Sequence, residues 1–275
     1  MKTKLYYLFV LAFVSLGIVS CDSDDDYIIE YDEIRLVGYD EGIKEDADYT
    51  TWVTSMIVPV RYPEVDMYII GGKGTGYSAV NSDNTVLDVS VDGKFLRMKI
   101  LKAGSSTITM SDDADNKMQF PVSIADFAMN IKILEPFVWI KVKEETEENK
   151  SIIAQIESDI RQKLLEKGMH YKMEFEAPHT GKLSVYPQSA SDAEAITGTF
   201  GEELNDEYHP VGYSFEYDSQ KYSFQFVYDL PDGVSDPSGT SSGTGFLVSD
   251  LTSDYAATGG IELVEAWAIY PIEMW

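Results

Sequence analysis

The sequence has a single cysteine, Cys21, and only three histidines; 21 Lys plus Arg stand against 47 Asp plus Glu. One cysteine excludes an intrachain disulfide in any compartment, so each folded part must be held by its own apolar core. A formal charge of −26 repels phosphate backbones, which excludes nucleic acid as a partner, and attachment to anionic lipid through a basic patch is excluded for the same reason. His170, His179 and His209 have no partners at metal-ligand spacing and read as surface histidines, so no metal is expected. The glycine-rich stretch Gly71-Gly72-Lys73-Gly74-Thr75-Gly76 has no Ser or Thr after Lys73 and no helix behind it. It reads as a sandwich turn or bulge and not as a phosphate loop. No nucleophile elbow is present, and neither a catalytic residue nor a cofactor is expected.

What is present is ordinary globular material. Hydrophobic residues are 44% and charged residues 25%, which argues against disorder, and 275 residues suffice for two domains but hardly three. At the start, Lys2 and Lys4 precede an uncharged apolar run over residues 5–19. That run is short for a membrane-spanning helix and suits the hydrophobic part of a secretion signal. It ends Ile18-Val19-Ser20-Cys21, which resembles the lipobox of bacterial lipoproteins. The resemblance implies cleavage before Cys21, which then carries a diacylglyceryl thioether and an acylated amine as the lipid attachment point. Several acyl chains anchor firmly where one would not. Asp22-Ser23-Asp24-Asp25-Asp26, followed by Glu30, Asp32 and Glu33, is similar to the surface-export signal of Bacteroidota lipoproteins. That likeness implies an outer-membrane protein facing the cell exterior; a solvated spacer is a compatible reading of the same charges. On these resemblances residues 1–20 are expected to be the signal peptide and residues 21–35 a lipidated acidic tether.

Residues 36–128 read as a β-sandwich, with short alternating runs separated by turns. Met56, Val58 and Val60 alternate with Ile57, Pro59 and Arg61, which predicts a strand partly covered on both faces. Tyr77-Ser78-Ala79-Val80-Asn81-Ser82-Asp83-Asn84-Thr85-Val86-Leu87-Asp88-Val89 resembles the bacterial Ig-like repeat of adhesins and surface proteins. The Asp92-Gly93 turn, the segment Lys102-Ala103-Gly104-Ser105-Ser106-Thr107-Ile108-Thr109-Met110 and the strand Met118-Gln119-Phe120-Pro121-Val122-Ser123-Ile124 continue the likeness. It implies a fold and no shared chemistry. Gly104 is expected to take a positive φ between strands. Asp112-Asp113-Ala114-Asp115-Asn116 lacks the spaced ligands and closing Glu of a calcium loop, and reads as a solvated hairpin turn.

Residues 129–275 read as a helix followed by an antiparallel meander. Residues 130–143 are extended, with Glu135-Pro136 as punctuation. Ile152, Ile153, Ile156, Ile160 and Leu164 mark one amphipathic helix beginning at Thr146, with Glu144, Glu145, Glu147 and Glu148 at its start and Gly168 as its stop. The period then falls to two, and seven strands with mostly short links predict a sheet curling toward a barrel. An α+β sheet wrapped on the helix is the competing architecture. In outline the domain resembles the lipocalin-like (calycin) barrels of some Bacteroidota lipoproteins. The fold class is therefore mainly β: an Ig-like sandwich followed by a one-helix antiparallel barrel-like domain.

Tyr213, Phe215 and Tyr217 share one strand face and Tyr222, Phe224, Phe226 and Tyr228 another, as a barrel filling would. Tyr217, Tyr222, Tyr228, Tyr255 and Trp267 are the candidate ligand-binding residues, as a rim that stacks on sugar or lipid. Residues 231–245, rich in Pro, Gly and Ser, are a candidate lid, with flexible excess loop as the alternative. The expected function is a non-catalytic surface binding or adhesion module for a glycan, lipid or protein ligand, with the sandwich as spacer. The alternatives are a glycan hydrolase with a carboxylate pair in the C-terminal domain, and a structural subunit of an outer-membrane assembly.

Overall fold

The computed structural model describes residues 32–38, 52–74, 76–187, 195–207, 209–231, 233–235, 245–258 and 261–275. The chain is mainly β and separates into two compact units, Met1–Phe127 with Glu176–Pro178, and Ala128–Phe175 with His179–Trp275.

The first unit carries β1 (Arg35–Gly38), β2 (Met56–Pro59), β3 (Glu64–Ile70), β4 (Tyr77–Asn81), β5 (Leu87–Asp92), β6 (Phe95–Ile100), β7 (Gly104–Asp112) and β8 (Lys117–Ala125). They form two four-stranded sheets, β1-β3-β6-β5 and β2-β8-β7-β4. This is the strand order of an immunoglobulin-type sandwich, with the short β2 added parallel to β8. Alternate residues fill the interior: Leu36, Met67, Ile69, Leu96, Ile108 and Phe120 are wholly buried. Gly104 takes φ 148°, and a Cβ there would lie 2.7 Å from Val86 Cγ2, so the glycine is required by both backbone and packing. β2 departs from expectation. Val58 is buried, but Ile57 is 62% exposed, because nothing among the described residues covers the outer face of its sheet.

The second unit carries β9 (Phe127–Ile133), β10 (Phe137–Val142), α1 (Lys150–Arg161), β11 (His170–Ala177), β12 (Thr180–Tyr186), β13 (Ile196–Leu204), β14 (Pro210–Tyr217), β15 (Gln220–Val227), β16 (Gly245–Asp250), α2 (Thr252–Tyr255) and β17 (Leu263–Met274). Its nine strands run β10-β17-β16-β15-β14-β13-β12-β11-β9, and β9 pairs back onto β17. The first half of β17 takes β10 (Trp139 opposite Trp267) and its second half takes β9 (Ile133 opposite Ile272). Between them the Leu134 N–H still donates to Pro271 O at 2.8 Å. β9 and β10 are one stave interrupted at Glu135-Pro136, so the nine strands make a closed ring of eight staves. The ring has the closure of an antiparallel barrel and leaves no place for an open α+β sheet.

Two local expectations change. α1 starts at Lys150 and not at Thr146, because Asn149 ties the preceding segment into a turn. Its Oδ1 accepts from the Thr146 N–H and its Nδ2 donates to Glu144 O. The helix ends at Arg161, before Leu164, while the Gly168 N–H donates to Ile133 O at the entry to β11. A second helix, the single turn α2, follows Asp250, whose Oδ1 accepts from the Thr252 N–H at 2.9 Å. The two-residue link Asp218-Ser219 is a tight hairpin with φ 50° and 59°, the handedness that suits twisted strands.

Candidate functional site

The barrel interior is aromatic and packed. Tyr171 on β11 meets Phe215 on β14 at 4.8 Å between ring centroids, and Phe224 on β15 meets Tyr270 on β17 at 5.7 Å. Neither pair is adjacent in the sheet, so these contacts run through the interior. Tyr171, Phe215 and Met173 are wholly buried, and Phe175 packs edge-on against Phe200. The Tyr171 and Tyr217 hydroxyls are hydrogen-bonded at 3.2 Å, and burial pushes both far above the usual tyrosine range. Burial pushes Tyr270 up to about 12, with a backbone hydrogen bond at Leu165 opposing it. Glu202, also buried, accepts from the Tyr213 hydroxyl at 3.2 Å. The described side chains make a closely packed aromatic core whose hydroxyls pair with one another and with Glu202.

The candidate ligand-binding residues do not form one rim. Tyr217 is buried and stacked on Tyr222 at 4.8 Å, beside the Asp218-Ser219 hairpin. The Tyr222 hydroxyl is held by Gln220 Oε1. Tyr228 is at the far end of β15, exposed, with its ring edge-on to Phe226. Tyr255, on α2, clasps α1: its hydroxyl donates to Asp159 Oδ2 at 2.5 Å, and Lys163 Nζ is 3.2 Å from the same oxygen of Tyr255. The Lys163 and Tyr255 hydrogen bonds hold the Asp159 carboxyl below its ordinary range. Trp267 is elsewhere again, facing outward on β17. Cys21 lies outside the described residues, as does most of the 231–245 loop. Within its described part, Val234 lies against the outer-wall cluster of Phe137, Val248 and Ile269, as does Leu230 just before the loop.

That outer wall gathers chemistry that the interior lacks. Trp139 on β10 is directly opposite Trp267 on β17, and both are half-buried against the same outer cluster. Trp139 Nε1 donates to Glu265 Oε2 at 3.3 Å, and Lys141 Nζ is 3.7 Å from Glu265 Oε1. Across the other edge of β17, Asp250 is opposite Trp267. Two half-buried indoles are thus flanked by two carboxylates, Glu265 held by Trp139 and Lys141 and Asp250 by the Thr252 N–H. Trp139 was hidden in the sequence. Its alternation with Phe137 and Lys141 marks a strand face, but nothing local says that Trp267 is its neighbour.

No family model matches this chain, and no curated protein matches it.

A second outward group centres on His170 of β11. His170 is stacked between Tyr186 at 5.2 Å and Trp275 at 5.3 Å, and its Nε2 is 3.0 Å from Asn130 Oδ1. In the first unit, the acidic turn Asp112–Asn116 is a structural staple. The Asp112 carboxylate takes N–H groups from Lys73, Gly74, Ala114 and Asn116 and the Asn116 side-chain amide. Its oxygens are thereby committed, and among the described residues no three His, Cys, Asp or Glu side chains gather as metal ligands.

Proposed function

We propose that this chain is a lipid-anchored outer-membrane protein, facing the cell exterior through Cys21, that binds an extracellular glycan on the outer wall of its C-terminal barrel. The carrying observation is the cross-strand pair Trp139–Trp267 with Glu265 hydrogen-bonded to one indole. Sugars present C–H faces that stack on aromatic rings and hydroxyls that donate to carboxylates. The packed interior leaves the wall as the place where a ligand meets aromatic surface. The module is non-catalytic in this reading, and its resemblance to calycin-type barrels is one of outline.

The test is binding of the purified chain to a glycan array, with Trp139→Ala and Trp267→Ala alongside. Each substitution is expected to weaken binding about tenfold or more, as removal of an aromatic anchor does. An array on which neither variant weakens binding to any glycan, or on which no glycan binds at all, overturns the proposal.

A further inference from the structure

The sandwich carries a second feature that a spacer does not need. An open groove of about 260 Å³ lies where β2, β7 and β8 and the residue after β4 meet, and six of its ten lining residues carry hydroxyls. These are Ser55, Ser82, Ser105, Ser106, Thr107 and Ser123. The rest are Met56, Ile57, Pro121 and Val122, so no charged side chain lines it, in a chain whose formal charge is −26.

The hydroxyls are held in place from behind. Ser82 Oγ accepts from the Thr107 N–H at 2.9 Å, and Ser106 Oγ accepts from the Asp83 N–H at 3.1 Å. Ser105 and Ser123, opposite each other on β7 and β8, have their oxygens 3.1 Å apart. The Ser82 and Ser106 oxygens are also 3.4 Å from each other and Ser106 is buried, so the hydroxyls that face a ligand are those of Ser55, Ser105, Thr107 and Ser123. The Ser55 and Thr107 hydroxyls have no protein partner among the described residues. Beside them Ile57, on the uncovered outer face of the sheet, presents an exposed apolar surface.

We infer that this groove binds a segment of an uncharged polysaccharide. A ligand that fits must offer alternating donors and acceptors, C–H faces for Met56, Ile57 and Pro121, and no charge. An anionic polymer would meet the field of an acidic protein, and a cation would find no carboxylate in the lining to meet it. The groove is open and not enclosed, which suits a stretch of chain more than a capped small molecule. The Ig-like unit is then a binding module in its own right, and the inference does not rest on the barrel-wall site.

The test is native electrophoresis of the purified chain in gels cast with dextran, galactomannan or xyloglucan, and with polygalacturonate as the acidic control. Retardation is expected in at least one uncharged gel. Ser123→Asp and Thr107→Asp, which put an unpaired charge into the groove, should weaken it about tenfold. Paired Ser105→Ala and Ser123→Ala, which cannot disturb folding by charge, should weaken it in the same direction. The groove substitutions should lower the retardation by the same factor in the parent chain and in a Trp139→Ala, Trp267→Ala background, which separates the two sites. The inference is overturned if no uncharged gel retards the chain, if only polygalacturonate does, or if the groove variants migrate like the parent.

Discussion

The Lys73 backbone N–H donates to Asp112 Oδ2 at 2.9 Å across 39 residues of sequence, and the Gly74 N–H joins it at 3.1 Å. A single carboxylate therefore ties the glycine-rich stretch to the end of β7. The Asn116 amide, with the Gly74, Asn116 and Lys73 N–H groups, holds the Asp112 carboxyl well below its ordinary 3.8, against the opposing effect of burial. A depressed folded-state pKa contributes stability that is present above the unfolded value and lost as pH falls through the folded one. Asp112→Ala is expected to lower the thermal midpoint of the sandwich by several degrees at neutral pH and to flatten its acid sensitivity below pH ~4. Hydrogen exchange at the Lys73 and Gly74 amides checks it: both should lose protection in the variant.

The barrel core predicts an alkaline limit. Tyr171, Tyr217 and Tyr270 all have raised pKa values, chiefly through burial of the hydroxyl. For an acid raised in the folded state, stability is full below the unfolded value, 10.0, and falls as pH rises above it. Each such tyrosine steepens the loss by roughly 1.4 kcal/mol per pH unit. Tyrosinate absorbance followed against circular dichroism should show these groups ionising only as the barrel unfolds. Ionisation with the fold intact would contradict the packing described.

Gly198 on β13 marks one of the close approaches within the ring. A Cβ there would come 2.1 Å from Glu216 O and 2.9 Å from Tyr217 Cβ on the neighbouring strand. Backbone cannot swing away as a side-chain tip can. Gly198→Ala is expected to destabilise the barrel by about 1–3 kcal/mol, read as a lowered urea midpoint.

Phe215 has no exposed surface and touches Tyr171, Tyr213 and Phe224. Truncation to alanine should cost about 3–5 kcal/mol, enough to unfold the barrel of an ordinary domain near physiological temperature. Loss of near-ultraviolet dichroism from the tyrosines is the readout. A barrel that tolerates Phe215→Ala with its midpoint unchanged would mean that the interior is looser than these contacts imply.

Much of this architecture is written locally. Period-two alternation along Tyr171, Met173 and Phe175, and along Tyr213, Phe215 and Tyr217, dictates strands with one buried face, whatever they pair with. The stripe of Ile152, Ile156 and Ile160 dictates a helix, and the charge of −26 fixes what the surface repels. Tertiary structure decided the rest, because pairing and register are long-range choices. Two segments that read as an entry into the second domain became one broken stave, and β17 closed the ring by pairing with both. Closure sent the tyrosines expected at a rim to three separate places and brought Trp139 against Trp267 across 128 residues, counting from one number to the other. The hydroxyls of the sandwich groove likewise come from separate strands, each serine unremarkable in its own segment. Local sequence sets which face of an element is apolar; only the packed chain sets which faces meet.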